Sequence, residues 1–172
     1  TFLMASKSKK TRVAGIGLSV REQCHSYCCR RQSSDILIAA AALGKGRIVV
    51  ITHDAYLENF TSENSDPNVK KLHQNIKKWI TKNKFSSNSN LSEAFAFVKS
   101  TTNQKYLALY TNELSDANTT ETDKNKILNF VKNGGGLVMA ICPWGWVQIK
   151  QTNDFNKMLT YKTFRAAGII LT

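Results

Sequence analysis

Between residues 119 and 146 the spacing of apolar positions changes from helical to strand-like within a few residues. Ile127, Leu128 and Val131 recur at the three-to-four interval that gives a helix one apolar face. Thr120 and Asp123 have the spacing of a capping box at its start. Asn133-Gly134 suits the left-handed residue that commonly closes a helix. Leu137 to Ile141 is a short, uncharged apolar run, as expected of a strand buried on both faces. The stretch ends in Cys142-Pro143-Trp144-Gly145-Trp146. A buried strand that leads straight into a cysteine has the layout of a nucleophile elbow.

Upstream, the apolar runs Ile36 to Ala42 and Ile48 to Ile51 flank Gly44-Lys45-Gly46, which predicts a β-hairpin with glycines at positive φ. The tripeptide lacks the spacing of a phosphate-binding loop. The second hairpin strand, Arg47 to Thr52, ends at His53-Asp54, with Asp54 placed to cap the helical turn Ala55 to Phe60. Asp66-Pro67 opens a helix reaching about Lys82. Val69, Leu72, Ile76, Trp79 and Ile80 share its apolar stripe, and His73 sits at the margin as a packing residue. A short helix Ser92 to Lys99, a strand Lys105 to Thr111, a helix after Trp146 and a final apolar strand Ala166 to Leu171 complete the pattern. An early strand is expected within Val13 to Val20, weakened by Gly15 and Gly17. Strands alternating with helices predict an α/β protein with a mostly parallel sheet and an N-terminal hairpin, a flavodoxin-like three-layer sandwich. The last strand has nothing to cover it, which reads as a truncated chain.

Charge divides the chain. Of its net +12, half lies in residues 1–31, where seven basic residues face Glu22 alone. Residues 1–31 therefore read as a basic arm, partly disordered or holding one early strand, and residues 32–172 as the α/β domain. Tyr27 is the one aromatic set among these basic residues, too few for the stacking platform of a nucleic-acid-binding arm, which argues against nucleic acid as a partner. No apolar run approaches the roughly 18 residues of a membrane span. The basic run Lys7 to Arg12 follows the apolar Phe2 to Met4, the reverse of a secretory signal, so a cytoplasmic protein is expected. Cys24, His25, Cys28 and Cys29 have metal-ligand chemistry but no second ligand pair downstream, so neither a metal nor another cofactor is expected.

Candidate chemistry collects where strands end. His53 beside Asp54, and Cys142 at the elbow, are the candidate catalytic pair; His53, Asp54, Trp144 and Trp146 are the candidate binding residues. Two features oppose catalysis. The residue after Cys142 is Pro143, which has no N–H to hold an oxyanion, a loss of about 3 kcal/mol or more. No histidine follows His73 to serve the thiol from downstream.

The pairing of GKGRIVVITHDAYL (residues 44–57) with FVKNGGGLVMAICPWGW (residues 130–146) resembles the TRP-channel-associated factor family. The resemblance runs over about residues 35–172, and Asn156 and Ala167 to Leu171 fit it more loosely. It implies a class I glutamine-amidotransferase-like domain ahead of an enhancin-like metallopeptidase domain. It also implies binding of a melastatin-type TRP channel and control of the channel's delivery to the cell surface. A non-catalytic interaction module follows, at the cytoplasmic face of the plasma membrane and reaching the membrane only through its partner. The alternative is an accessory domain, positioning substrate or glycan for a zinc peptidase; a third reading is a cysteine hydrolase using Cys142. An HExxH helix would need histidines four apart, whereas these are at 25, 53 and 73.

Overall fold

The computed structural model describes residues 18–20, 36–84, 91–92, 94–100, 106–113 and 119–171. Most of the basic arm, including Cys24, His25, Cys28 and Cys29, lies outside the described residues, as does most of the loop after Lys84. In chain order the elements are β1 (Leu18–Val20), β2 (Ile38–Leu43), β3 (Gly46–Ile51), α1 (Ala55–Thr61), α2 (Pro67–Ile80), β4 (Leu91–Ser92), α3 (Ala94–Lys99) and β5 (Ala108–Asn112). They continue with α4 (Glu121–Lys132), β6 (Gly136–Ala140), α5 (Pro143–Lys150), a 3-10 turn (Phe155–Lys157), α6 (Tyr161–Ala166) and β7 (Ile169–Leu171).

Local chemistry sets these boundaries. Asp66 accepts the Asn68 N–H at 2.7 Å and Pro67 occupies the first turn of α2. The capping box of α4 is complete: the Asp123 N–H donates to Thr120 Oγ1 at 3.2 Å, and the Thr120 N–H donates to Asp123 Oδ2 at 3.0 Å. The same helix ends in a Schellman motif. The Gly134 N–H donates to the Val131 carbonyl and the Gly135 N–H to the Phe130 carbonyl, with Gly134 at φ +119°.

The main sheet has the order β2-β3-β6-β5-β4. It is mixed: β2 and β3 form the expected antiparallel hairpin, and the β3–β6, β6–β5 and β5–β4 pairings are parallel. Alternation along the strands feeds two cores. Ile48, Val50, Leu137 and Met139 face Ile127 and Val131 of α4, Trp146 of α5 and Phe164 of α6. Val49, Ile51, Val138 and Ala140 face Phe60 of α1 and Ile76 and Ile80 of α2. His73 packs in this second layer, stacked on Phe60 with ring centroids 4.8 Å apart.

Two expectations need correction. The strand near the C-terminus does not join the main sheet and is not uncovered. As β7 it pairs antiparallel with β1 in a separate two-stranded sheet, and Ile169 and Leu171 are buried. The glycines of the hairpin also divide their roles. Gly44, at φ +58°, supplies the left-handed first position of a two-residue turn. Gly46 is there for space, since a Cβ on it would lie 2.0 Å from the Val131 carbonyl oxygen and 2.3 Å from that of Gly135.

The turn therefore nests against the end of α4, where the Lys45 N–H donates to the Lys132 carbonyl at 2.8 Å. Arg47 fastens the other layer: its Nη1 donates to the Trp79 carbonyl at 2.6 Å, and its guanidinium lies 5.0 Å from the centre of the Trp79 ring. Gly46→Ala is expected to cost about 3 kcal/mol or more, because backbone on both sides must shift. Lys45→Ala, which keeps every backbone bond, should stay within about 0.5 kcal/mol. Urea denaturation of the two variants checks the contrast.

Candidate functional site

Leaving β3, the chain crosses through α1 and α2 on one face to the far edge strand β4. It returns through α3, β5 and α4 on the other face to β6, beside its starting point. Neighbouring strands β3 and β6 thus send their following helices to opposite faces. The crevice outside the carboxyl ends of strands at such a switch point is where open α/β sheets bind ligands. The register aligns Ile51 with Ala140, so His53 and Cys142, each two residues further on, end at the same level.

His53 is about half-exposed, and its Nδ1 has two claimants. It lies 3.2 Å from the Ala55 N–H donor and 3.0 Å from Asp54 Oδ1. One ring nitrogen cannot serve both. Neutral Nδ1 accepts from Ala55, and protonated Nδ1 donates to Asp54. The expected capping role of Asp54 is therefore corrected: its side chain makes no cap bond to α1, and His53 takes that place. Asp54 Oδ2 turns instead to Asn112 Nδ2 at 3.5 Å. Asn112 ends β5, with β6 between the two strands, so this contact spans the tip of β6.

At that tip Cys142 is 4% exposed and stands as the N-cap residue of α5, its carbonyl accepting the Trp146 N–H. Burial pushes its thiol above the ordinary range; the Gly145 backbone N–H opposes this and the Asp54 carboxylate reinforces it. Its backbone, at φ −99° and ψ 98°, is ordinary extended chain, without the strain that thrusts an elbow nucleophile outward. Pro143 buries the first turn of α5 and offers no N–H.

The tryptophans separate by helical geometry. Two positions apart on α5 they point to nearly opposite sides. Trp146 is 3% exposed and packs 5.5 Å from the Phe155 ring, whereas Trp144 is 56% exposed. Tyr56, at the start of α1, is also exposed and meets the His53 ring edge-on at 6.3 Å. Trp144, Tyr56 and His53 thus give the strand tips exposed aromatic surface, while Trp146 belongs to the core. His73 stays outside the site, with Nδ1 on the Phe60 carbonyl and Nε2 3.3 Å from the Tyr110 hydroxyl. Burial lowers its pKa, partly offset by that carbonyl, and burial raises that of Tyr110.

Glu113, just past β5, was not singled out by sequence pattern. It is 1% exposed and accepts from the backbone N–H groups of Leu159 and Thr160, at 3.2 and 2.7 Å, and from the Thr160 hydroxyl. It thereby ties the tip of β5 to the start of α6. Burial raises its carboxyl pKa against those three donors and the charge of Lys150. Its only sequence signal is an acid following a strand. Among the described residues no group of three or more His, Cys, Asp and Glu is placed to hold a metal, and no helix is long and apolar enough to cross a membrane.

A mixed α/β domain with a topological switch point between β3 and β6, and exposed aromatic side chains just past those strands, is the class of protein that fold and site define. A protein-family model for TCAF_N, described as "TRPM8, N-terminal domain", matches residues 25–170, and the chain belongs to this family. It is similar to a TRPM8 channel-associated factor homolog of Xenopus laevis, with 25% identity over 151 residues, covering 80% of this chain and 15% of the relative. A homolog of the same description from Danio rerio is 28% identical over 147 residues, covering 78% of this chain and 15% of the relative. The chain thus spans about 15% of the length of these relatives. No solved structure gives a significant match.

Two outcomes are expected. Iodoacetamide should label Cys142 near neutral pH no faster than a free cysteine, and His53→Ala should leave that rate unchanged, as peptide mass spectrometry would read. Because its folded-state pKa is raised, Glu113 contributes stability that is fully present below the unfolded carboxyl value, about 4.3. That contribution is lost as pH rises through the folded value. Glu113→Gln should remove this slope from denaturation midpoints measured across acidic to neutral pH.

Proposed function

We propose that this chain is a non-catalytic interaction module of a channel-associated factor, binding a TRPM8-type channel and regulating its delivery to the cell surface. The single observation that carries the reading is the family match over residues 25–170. The names of the relatives supply the partner: both are called TRPM8 channel-associated factor homologs. Trp144, exposed at the start of α5, supplies an aromatic anchor of the kind that dominates interface energies.

On this reading the domain is a flavodoxin-like, amidotransferase-like pseudoenzyme. Its support is the elbow position of Cys142 between β6 and α5, together with the burial, relaxed backbone and following proline that leave the thiol poorly suited to attack. The module works at the cytoplasmic face of the plasma membrane and reaches the membrane through its partner. The accessory-domain reading, in which the module positions substrate or glycan for an enhancin-like zinc peptidase, rests on the family resemblance alone. It concerns chain that the relatives carry beyond the matched part.

Binding of the protein to purified TRPM8 channel in detergent tests the proposal. Trp144→Ala should weaken it about thirtyfold, the scale of an interface hot spot. His53→Ala should matter less. Binding unchanged by Trp144→Ala would move the contact to another surface, and no binding at all would sink the proposal.

A further inference from the structure

A cleft of about 460 Å³ lies between the first turn of α4 and α6, and is lined by Glu121, Lys124, Asn156, Lys162, Arg165 and Ala166. Three cations face one carboxylate there. The carboxylate of Glu121 is gripped from both sides: Lys124 Nζ donates to Oε1 and Lys162 Nζ to Oε2, each at 2.9 Å. Lys124 also donates to the Asn156 carbonyl at 2.7 Å, and Arg165 Nη1 donates to Asn156 Oδ1 at 3.2 Å. Asn156 therefore links the lysine pair to the guanidinium.

The cleft already holds an anion, one belonging to the chain. Hydrogen bonds from Lys124 and then Lys162 push the Glu121 carboxyl down to about 2. That anion is nonetheless open to competition from solvent: the Glu121 side chain is 67% exposed and that of Lys162 is 40% exposed. Lys124, at 11%, is fixed in place by its backbone partner. Among the lining residues one carboxylate faces three cations; the next acid, Asp154, accepts from Asn156 Nδ2 at 2.9 Å outside the lining. The exposed Arg165 uses one guanidinium N–H on Asn156, and its remaining fork suits bidentate recognition of a tetrahedral oxyanion.

We propose that this cleft binds a phosphate monoester as its dianion, which displaces Glu121 from between Lys124 and Lys162 and engages the fork of Arg165. Two cations and a guanidinium match the two charges and three acceptor oxygens of such a group. The volume leaves room for the organic part of the ester. A soluble ester fits better than a lipid headgroup, because the exposed large apolar residues among those described, Tyr56, Trp144 and Ile149, do not line the cleft. The site shares no residue with the strand tips and is independent of the channel-binding reading.

Calorimetric titration of the whole chain with O-phosphoserine tests this, at low salt and near neutral pH, where the monoester is mostly dianionic. One saturable site is expected. Lys162→Ala and Arg165→Ala should each weaken it about tenfold, the loss of one charge-assisted contact. Glu121→Gln should tighten it several-fold, a gain that an unfolded variant could not produce. O-phosphoserine binding that survives both Lys162→Ala and Arg165→Ala would overturn the site, as would its absence from the unmodified chain. Inorganic phosphate bound as tightly as O-phosphoserine would overturn the ester in favour of free phosphate. Vesicles containing phosphatidic acid, bound where O-phosphoserine is not, would overturn it in favour of a membrane surface.

Discussion

The contact on which the architecture depends is the nesting of the β2–β3 turn against the end of α4. Gly46 leaves no room for a side chain between the carbonyls of Val131 and Gly135, and the Lys45 N–H closes the seam on Lys132. This approach joins two units far apart in sequence and sets Arg47 opposite Gly136. A strand slipped by one residue would turn every side chain to the wrong face, and here both faces are buried. Gly136 is itself constrained, because a Cβ there would meet that of Ile80 at 2.9 Å. Backbone packed this closely explains why glycines recur at both ends of the contact.

The arrangement at the opposite end of the strands follows from that register. Once β3 and β6 are aligned at their starts, His53 and Cys142 finish level. Catalytic geometry does not follow from proximity alone. Cys142 is buried at the tip of β6 within the field of Asp54, with its thiol raised by burial and a proline where an oxyanion donor would be. His53 has its Nδ1 committed to its own chain neighbours. What the tips offer outward is aromatic surface, contributed by Trp144 and Tyr56, and this is chemistry suited to recognition.

The elements with strong local signals were legible from residues alone. The capping box of α4, the proline-led start of α2, the hairpin and the buried strand β6 all rest on nearest-neighbour chemistry. Partnerships across the fold were not legible. Nothing local tells that β7 leaves the main sheet to pair with β1, that Glu113 reaches Leu159 and Thr160, or that Lys126 donates to the carbonyls of Phe97, Val98 and Ser100 at the end of α3. At the site, the positions of His53, Asp54 and Cys142 at strand ends were readable, but the exchange of capping roles between His53 and Asp54 was not. The spacing of Trp144 and Trp146 required them to diverge on a helix. Trp146 is the one that turned inward, into the core beside Phe155.

The small sheet of β1 and β7 has a bearing on how the fold assembles. Pairing Leu18 with Leu171 closes a loop containing nearly the whole chain. The entropy of such closure grows only slowly with length, but contacts this distant in sequence slow folding because little rewards them until the intervening chain is ordered. β1 is therefore expected to dock late, onto a strand whose Ile169 and Leu171 are already anchored in the core. It also brings positions 18 and 171 to the same corner.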